Sequence, residues 1–192
     1  MAGNGSNLST GELLDRIGRI TRGLQFVGGL SPAQWEALRY IARANRYSCN
    51  PSALAGFLGA TRGTISQTLI ALEDKGYLRR LKGDRDRRTV RLELTPAGEA
   101  LLERDPLGEV EGALETLPTT EAAVLADMLG RVLGHLQRRL GGEAFGICED
   151  CCLFSAEDAP GDPQGPHRCG LTGDPLSDGD KRRICVEFHA DA

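Results

Sequence analysis

The sequence predicts a mainly α-helical protein with a small β wing, a winged helix-turn-helix flanked by helices and followed by an irregular metal-binding tail. Three observations carry this reading. Helical periodicity runs through most of the first 140 residues, one short stretch switches to alternating strand-like periodicity, and five of the six cysteines fall at Cys148, Cys151, Cys152, Cys169 and Cys185. The organisation expected is an N-terminal dimerisation helix region at 1–30, a helix-turn-helix unit at 31–98, further dimerisation helices at 99–142, and a cysteine-rich tail at 143–192.

In chain order, Leu13, Leu14, Ile17, Ile20 and Leu24 recur at helical spacing, so the first helix has an apolar face that must pack against something. Ser31 followed by Pro32 is a helix start, and Trp35, Leu38 and Ile41 give that helix an inward side. Pro51 and Ser52 open a short third helix through Leu54, Ala55 and Leu58; Gly59 and Ala60 make a turn. Thr61 caps a fourth helix with Ile65, Leu69 and Leu72 on one side, and Gly76 ends it. The period then changes: 77–82 and 89–94 read as strands, the second alternating Val90, Leu92 and Leu94 with Arg91 and Glu93. Gly83, Asp84, Arg85, Asp86, Arg87 and Arg88 form the polar tip between them.

Beyond this hairpin, Pro96 and Gly98 begin a long helical pattern through Leu117, bent at Pro106. A last helix starts after the cap-like Thr119 and Thr120 and places Val124, Leu125, Met128, Leu129, Val132, Leu133 and Leu136 on a broad apolar face. Dimerisation is the expected use of that surface, because a closed two-fold arrangement also sets two recognition helices about 34 Å apart. His135 on this helix is expected at the surface.

Charge is divided along the chain. Residues 31–98 hold 12 Lys and Arg against 6 Asp and Glu, whereas residues 143–192 hold 4 against 11. A basic middle can attract phosphates and an acidic end does not, so double-stranded operator DNA is the partner expected for the helix-turn-helix unit. The absence of a long apolar run and of a basic, apolar leader excludes a membrane partner and secretion from this reading, leaving the cytoplasm as the expected compartment. No Ser/His/Asp set, phosphate-binding glycine loop or paired acid-base carboxylates stands out, so an enzyme is not expected.

The run TRGTISQTLIALEDKGYLRRLKGDRDRRTVRLELTPAGEALL closely resembles the recognition helix, wing and following helix of the MarR family of bacterial transcription regulators. The resemblance covers roughly residues 13–140 and implies a homodimer that binds pseudo-palindromic operators, usually as a repressor. Gly83 and Asp84 stand where many relatives have Asp-Pro. On the face of the fourth helix opposite Ile65, Leu69 and Leu72 lie Arg62, Thr64, Ser66 and Gln67. Arg62 suits guanine and Gln67 suits adenine in the major groove, while Thr64 and Ser66 serve equally as caps or DNA contacts. Arg85, Arg87 and Arg88 are expected at a minor groove or its phosphates, with Asp86 steadying one guanidinium.

Gly141 and Gly142 mark the junction to a tail rich in Gly, Pro and Asp, which by itself buries too little to offset its chain entropy. A bound centre would supply the missing nucleus. Its candidate ligands are Cys148, Cys151, Cys169 and Cys185, one CxxC pair followed by two single cysteines after 17 and 15 residues. Structural zinc sites more often use two close pairs; one pair and two distant singles suit loops wrapped around a cubane whose four irons each need a thiolate. CEDCCLF, CGL and CVEF are similar to the arrangement in high-potential iron-sulfur proteins and small cluster-binding subunits, over about 40 residues and without their aromatic-rich surround beyond Phe145, Phe154 and Phe188.

A [4Fe-4S] cluster is therefore the expected cofactor, with zinc as the alternative. Cys152 is the expected non-ligand, though it is also an alternative to Cys151; His167 and His189 are substitutes in a zinc site. Cys49 is expected as buried packing. The functional expectation is a regulator sensing redox state, nitric oxide or iron-sulfur status. One alternative is a regulator with a zinc-stapled tail answering a small aromatic effector; another is an electron-transfer module with a helical docking domain. Arg87→Ala is expected to weaken operator binding and to flatten its salt dependence; unchanged affinity across a salt series would remove the wing from the interface.

Overall fold

The computed structural model describes residues 8–82, 90–141, 145–158 and 161–189. Each early helix begins at a residue able to satisfy its first free N–H groups. Ser9 opens α1 (Thr10–Leu24), accepting from Glu12 N while the Glu12 carboxylate accepts from Ser9 N. Ser31 and Gln34 repeat the exchange at α2 (Pro32–Arg43). Asn50 caps α3 (Pro51–Phe57), and Thr61 caps α4 (Arg62–Asp74). The α3–α4 turn passes through Gly59 at φ +58°, and α4 ends at Gly76 at φ +75°, both in the left-handed region.

Strands β1 (Leu78–Lys82) and β2 (Val90–Leu94) pair antiparallel, with Arg79 opposite Glu93 and joined to it by a 2.8 Å ion pair. Of the three apolar positions on β2, Leu92 is buried and Leu94 half-buried, but Val90 is exposed. Val90 pairs with Lys82 at the outer end of the ribbon, where the partner strand is exposed too. The core gathers Trp35, Leu38, Tyr40 and Ile41 of α2, Leu54 of α3, and Ile65, Leu69 and Leu72 of α4, closed by Leu78 and Leu92.

The long bent helix expected after the wing is instead two short ones, α5 (Pro96–Leu102) and α6 (Gly108–Leu114). Pro106 contributes no N–H, and Asp105 takes over locally by accepting from Leu107 N at 2.9 Å. The other oxygen of Asp105 pairs with Arg39 Nε of α2 at 2.8 Å, which fastens the interruption to the core. Gly98 of α5 lies so close to the Tyr77 carbonyl that a Cβ there would sit 2.1 Å from its oxygen. Helix α7 (Thr119–Arg139) starts at Pro118 without a side-chain cap, so Thr119 and Thr120 form its first turn and do not cap it. Neither α1 nor α7 buries a residue in the single chain. Leu13, Leu14, Ile17 and Ile20, and along α7 Val124, Met128, Val132, Leu133 and Leu136, lie open. Among the described residues no helix is long and apolar enough to cross a membrane.

The tail folds as two small sheets. In one, β3 (Gly146–Ile147) pairs with β7 (Ile184–Cys185); in the other, β4 (Phe154–Ser155), β5 (His167–Cys169) and β6 (Pro175–Leu176) pair in that order, all antiparallel. This tail is docked on the helix-turn-helix unit. Ile184 is buried in the same core as Trp35 and Leu92 and bridges to Ala44 just after α2. Phe145 stands edge-on to Phe57 of α3, ring centres 5.1 Å apart. Truncating Ile184 should therefore open a cavity in a core assembled mostly from residues more than 90 positions earlier. Ile184→Ala is expected to destabilise the whole unit by about 2–5 kcal/mol, read as a lower urea midpoint at unchanged m-value. A midpoint equal to wild type would mean the tail does not dock there in solution.

Candidate nucleic-acid interface and cysteine-lined cavity

Ile65, Leu69 and Leu72 fasten α4 to the core, which turns the opposite side of the helix outward. Arg62, Thr64, Ser66 and Gln67 are all exposed there. Thr64 is partly committed to the helix start, since its hydroxyl lies 2.9 Å from that of Thr61 and its N–H donates to the same group. Arg62, Ser66 and Gln67 thus form the side-chain set open to a groove. Arg85, Arg87 and Arg88, expected at the wing tip, lie outside the described residues. At the base of the wing, Arg79 and Arg80 are paired with Glu93 and Glu73, the latter at 3.2 Å, so they stiffen the hairpin.

The second feature is a cavity of about 410 Å³ in the tail. Its lining includes all four cysteines selected from spacing, Cys148, Cys151, Cys169 and Cys185, along with Leu153, Phe154, Leu171 and Leu176. Local structure explains each placement. Pairing of Gly146 with Cys185 brings Cys148, two residues further on, beside Cys185; Gly146 is required because the Phe188 ring occupies the space of a Cβ, 2.4 Å away. A 3-10 turn at Cys148–Asp150 carries the chain to Cys151, whose N–H donates to the Cys148 carbonyl at 3.1 Å. Cys169 ends β5 opposite Phe154, and a tight return to Asp174 through Gly173 at φ +72° holds it.

Among the described residues no three His, Cys, Asp or Glu side chains are grouped to hold one metal ion. All four cysteines contribute to the wall of the cavity, with the Cys148 and Cys185 thiols in contact. Cys185 has its thiol acidity increased by a hydrogen bond from the Cys148 thiol, with further support from Asn45, the Glu187 N–H and Ser48. Cys148, as the donor of that pair and buried, is pushed the other way.

Cys152 is exposed, and its N–H donates to the His189 carbonyl at 2.9 Å. His167 is buried behind the wall, with Nδ1 accepting from Glu157 N at 3.3 Å and Nε2 3.2 Å from Asp178. His189 is exposed, and its backbone N–H donates to Cys151 Sγ at 3.4 Å. Cys49 is buried away from the cavity; its thiol donates to the Leu92 carbonyl at 3.0 Å, and burial raises its pKa. His135 is exposed, as expected.

Three residues of the α2–α3 loop escaped the sequence reading. Tyr47 lines the cavity, with its hydroxyl donating to Asp174 at 2.5 Å. Asn45, 1% exposed, donates from Nδ2 to Cys148 Sγ at 3.5 Å, and Ser48 accepts from Val186 N at 3.0 Å. Their signal lay only in tertiary proximity, more than 100 positions from the tail residues they meet.

Residues 28–89 match the model of the MarR family. The HTH-type transcriptional regulator PecS of Dickeya dadantii (strain 3937) is 33% identical over 89 residues, 46% of this chain. That match spans 54% of PecS, about half its length. The solved structure of the transcriptional regulator PA3341 is 31% identical with a TM-score of 0.57, covering 68% of this chain and 99% of that one. Apo wild-type MarR of E. coli is 25% identical with a TM-score of 0.51, over 67% and 99% of the two chains. The S. aureus MepR–DNA complex shares the fold, with a TM-score of 0.56 at 22% identity over 68% of this chain and all of MepR. The family match ends at residue 89, well before the four cysteines of the cavity.

The contrast between Cys152 and Cys49 is directly testable. In metal-free, folded protein iodoacetamide is expected to alkylate Cys152 far faster than Cys49, read by peptide mass mapping. Equal rates would contradict the burial of Cys49.

Proposed function

Because this chain belongs to the MarR family of transcriptional regulators, we propose that it is a homodimeric, operator-binding repressor whose DNA affinity depends on a [4Fe-4S] cluster held in the tail. It works in the cytoplasm, where thiols stay reduced and available as ligands. The DNA half of this reading is supported by the exposed row Arg62, Ser66 and Gln67 on α4, held beside a wing on a fixed core. Each bidentate contact from such side chains discriminates a base pair by about 1–3 kcal/mol. Thr64 adds a shorter contact, and Arg85, Arg87 and Arg88 bind the neighbouring backbone or minor groove.

The dimer reading is supported by α1 and α7, whose apolar faces have no cover within one chain. Burying them against a second copy removes apolar area from water and relates two recognition helices by a two-fold axis. A small-molecule effector remains part of the family pattern, and the cavity gives this chain a different kind of sensor.

The observation that carries the cofactor reading is the cavity of about 410 Å³ whose wall includes Cys148, Cys151, Cys169 and Cys185. A single zinc draws four ligands to about 2.0–2.3 Å of one point, which suits a tight cage; a cluster takes four thiolates spread around a larger body. Four cysteines in the wall of one cavity of that volume, one CxxC pair and two singles, support the larger body. When bound, such a cluster supplies an oxidant-sensitive, electron-accepting centre. The chain's own contribution is to line the cavity with Leu153, Phe154, Leu171 and Leu176 and to direct N–H groups at sulfur from Asn45 and the backbone of Glu187 and His189.

Anaerobic purification followed by iron, sulfide and zinc analysis tests the proposal. A brown protein with about four irons and four sulfides per chain is expected, lost in Cys148→Ser or Cys169→Ser and kept in Cys152→Ser. Operator affinity should differ between the loaded and metal-free forms. A colourless protein with one zinc per chain overturns the cluster reading, and loss of sequence-selective DNA binding in every form overturns the regulator.

A further inference from the structure

The tail follows α7 in the chain, but it docks on the helix-turn-helix unit, where many of its polar contacts fall on the loop between α2 and α3. Asn45 occupies the centre of that contact. Its side-chain amide donates to Cys148 Sγ at 3.5 Å, while its Oδ1 accepts from Tyr47 N at 3.1 Å and Ser48 N at 2.9 Å. Its backbone N–H donates to the Ile184 carbonyl at 2.9 Å, next to Cys185. From there the connection continues without a gap. The Cys49 N–H donates to the Asn45 carbonyl at 3.0 Å, and the Cys49 carbonyl accepts from Leu92 N at 2.9 Å on wing strand β2. Asn45 and Ser48 are buried, so a donor or acceptor released here has no water to turn to.

We propose that Asn45 is a positioning residue that couples the cysteine cavity to the wing and the α2–α3 corner, so that occupancy of the cavity acts on DNA binding through this loop and not through α7. The inference rests on the reading that the cavity holds a thiolate-bound centre. A metal-bound sulfur is an anionic acceptor and strengthens the Asn45 hydrogen bond; a free thiol is a weak acceptor. This difference is what a two-state coupling requires, since an equilibrium shifts only by the difference in interaction between its states. The strengthened bond fixes the Asn45 amide. Its Oδ1 then fixes Tyr47 and Ser48, and the loop fixes the register between Cys49 and β2. Asn50 closes the same loop by donating to the Tyr47 carbonyl at 2.9 Å and capping α3, so the first helix of the helix-turn-helix is mounted on the same support.

Asn45→Asp keeps an oxygen for the Tyr47 and Ser48 N–H groups but replaces the donor to sulfur with another oxygen. In full-length protein reconstituted anaerobically with ferrous iron and sulfide, this variant is expected to load and to fold. Its cluster should have a lower reduction potential, because one N–H bond to sulfur is gone. Its loaded and metal-free forms should bind operator alike, where wild type differs by about 5–150-fold. Hydrogen exchange on wild type gives a second measurement independent of the variant. Removing iron with a chelator should accelerate exchange at 44–50 and 90–94, leaving 119–139 unchanged. A loaded Asn45→Asp protein with wild-type potential and wild-type affinity ratio overturns the inference alone, as does exchange that changes only in 119–139. A wild-type chain that takes up neither iron and sulfide nor zinc overturns the cavity reading and this inference with it.

Discussion

The burial of Ile184 is the constraint on which the rest of the molecule depends. Its side chain completes a core built by Trp35, Leu38, Leu72 and Leu92, and its carbonyl accepts from Asn45 N. Full burial of one such side chain contributes about 1.5–3 kcal/mol, a large share of what a segment of two-residue strands can gather. Because Ile184 immediately precedes Cys185, the contact that docks the tail also sets one wall of the cavity.

That arrangement answers a difficulty in the composition of the tail. Short strands, many turns and few apolar residues leave little to offset an ordering cost of about 1–2 kcal/mol per residue in backbone entropy. Docking on a preformed core supplies part of the compensation, through Ile184, Phe145 and the hydrogen bonds from Arg183 to the Ala44 carbonyl and from Arg46 to the Pro175 carbonyl. A group bonded to four sulfurs would supply more, since metal binding to a site absent from the unfolded chain adds directly to folding free energy. The cavity and the docking surface are thus two supports for one segment.

Local chemistry was well written into the sequence, and tertiary proximity was not. Ser31, Thr61, Gly59 and Gly76 act through neighbours within a few residues, so their turns and caps were readable from type and spacing alone. Cysteine spacing likewise selected four residues that do line one cavity. Periodicity misled where it was indifferent to a local competitor: the apolar pattern runs across Pro106, yet Asp105 caps there and pairs with Arg39, ending the helix. Thr119 and Thr120 have the composition of a cap, but Pro118 occupies that position. Asn45, Tyr47 and Ser48 read as an ordinary polar loop because their partners lie more than 100 residues away. The arginines of the wing tip lie outside the described residues.

The two surfaces respond to different variables, and the docking chemistry explains why. Contacts of the basic unit with phosphate are made by exposed cations and weaken as salt rises, because binding releases counterions. The tail, although acidic, is fastened to the core by buried backbone and amide hydrogen bonds and by Ile184. Screening over a Debye length of about 8 Å therefore loosens the DNA contact while leaving the tail in place. The exposed residues of α4 and the residues that wall the cavity are thus separate sets, and the α2–α3 loop stands between them, with Tyr47 in the cavity wall and Asn50 capping α3.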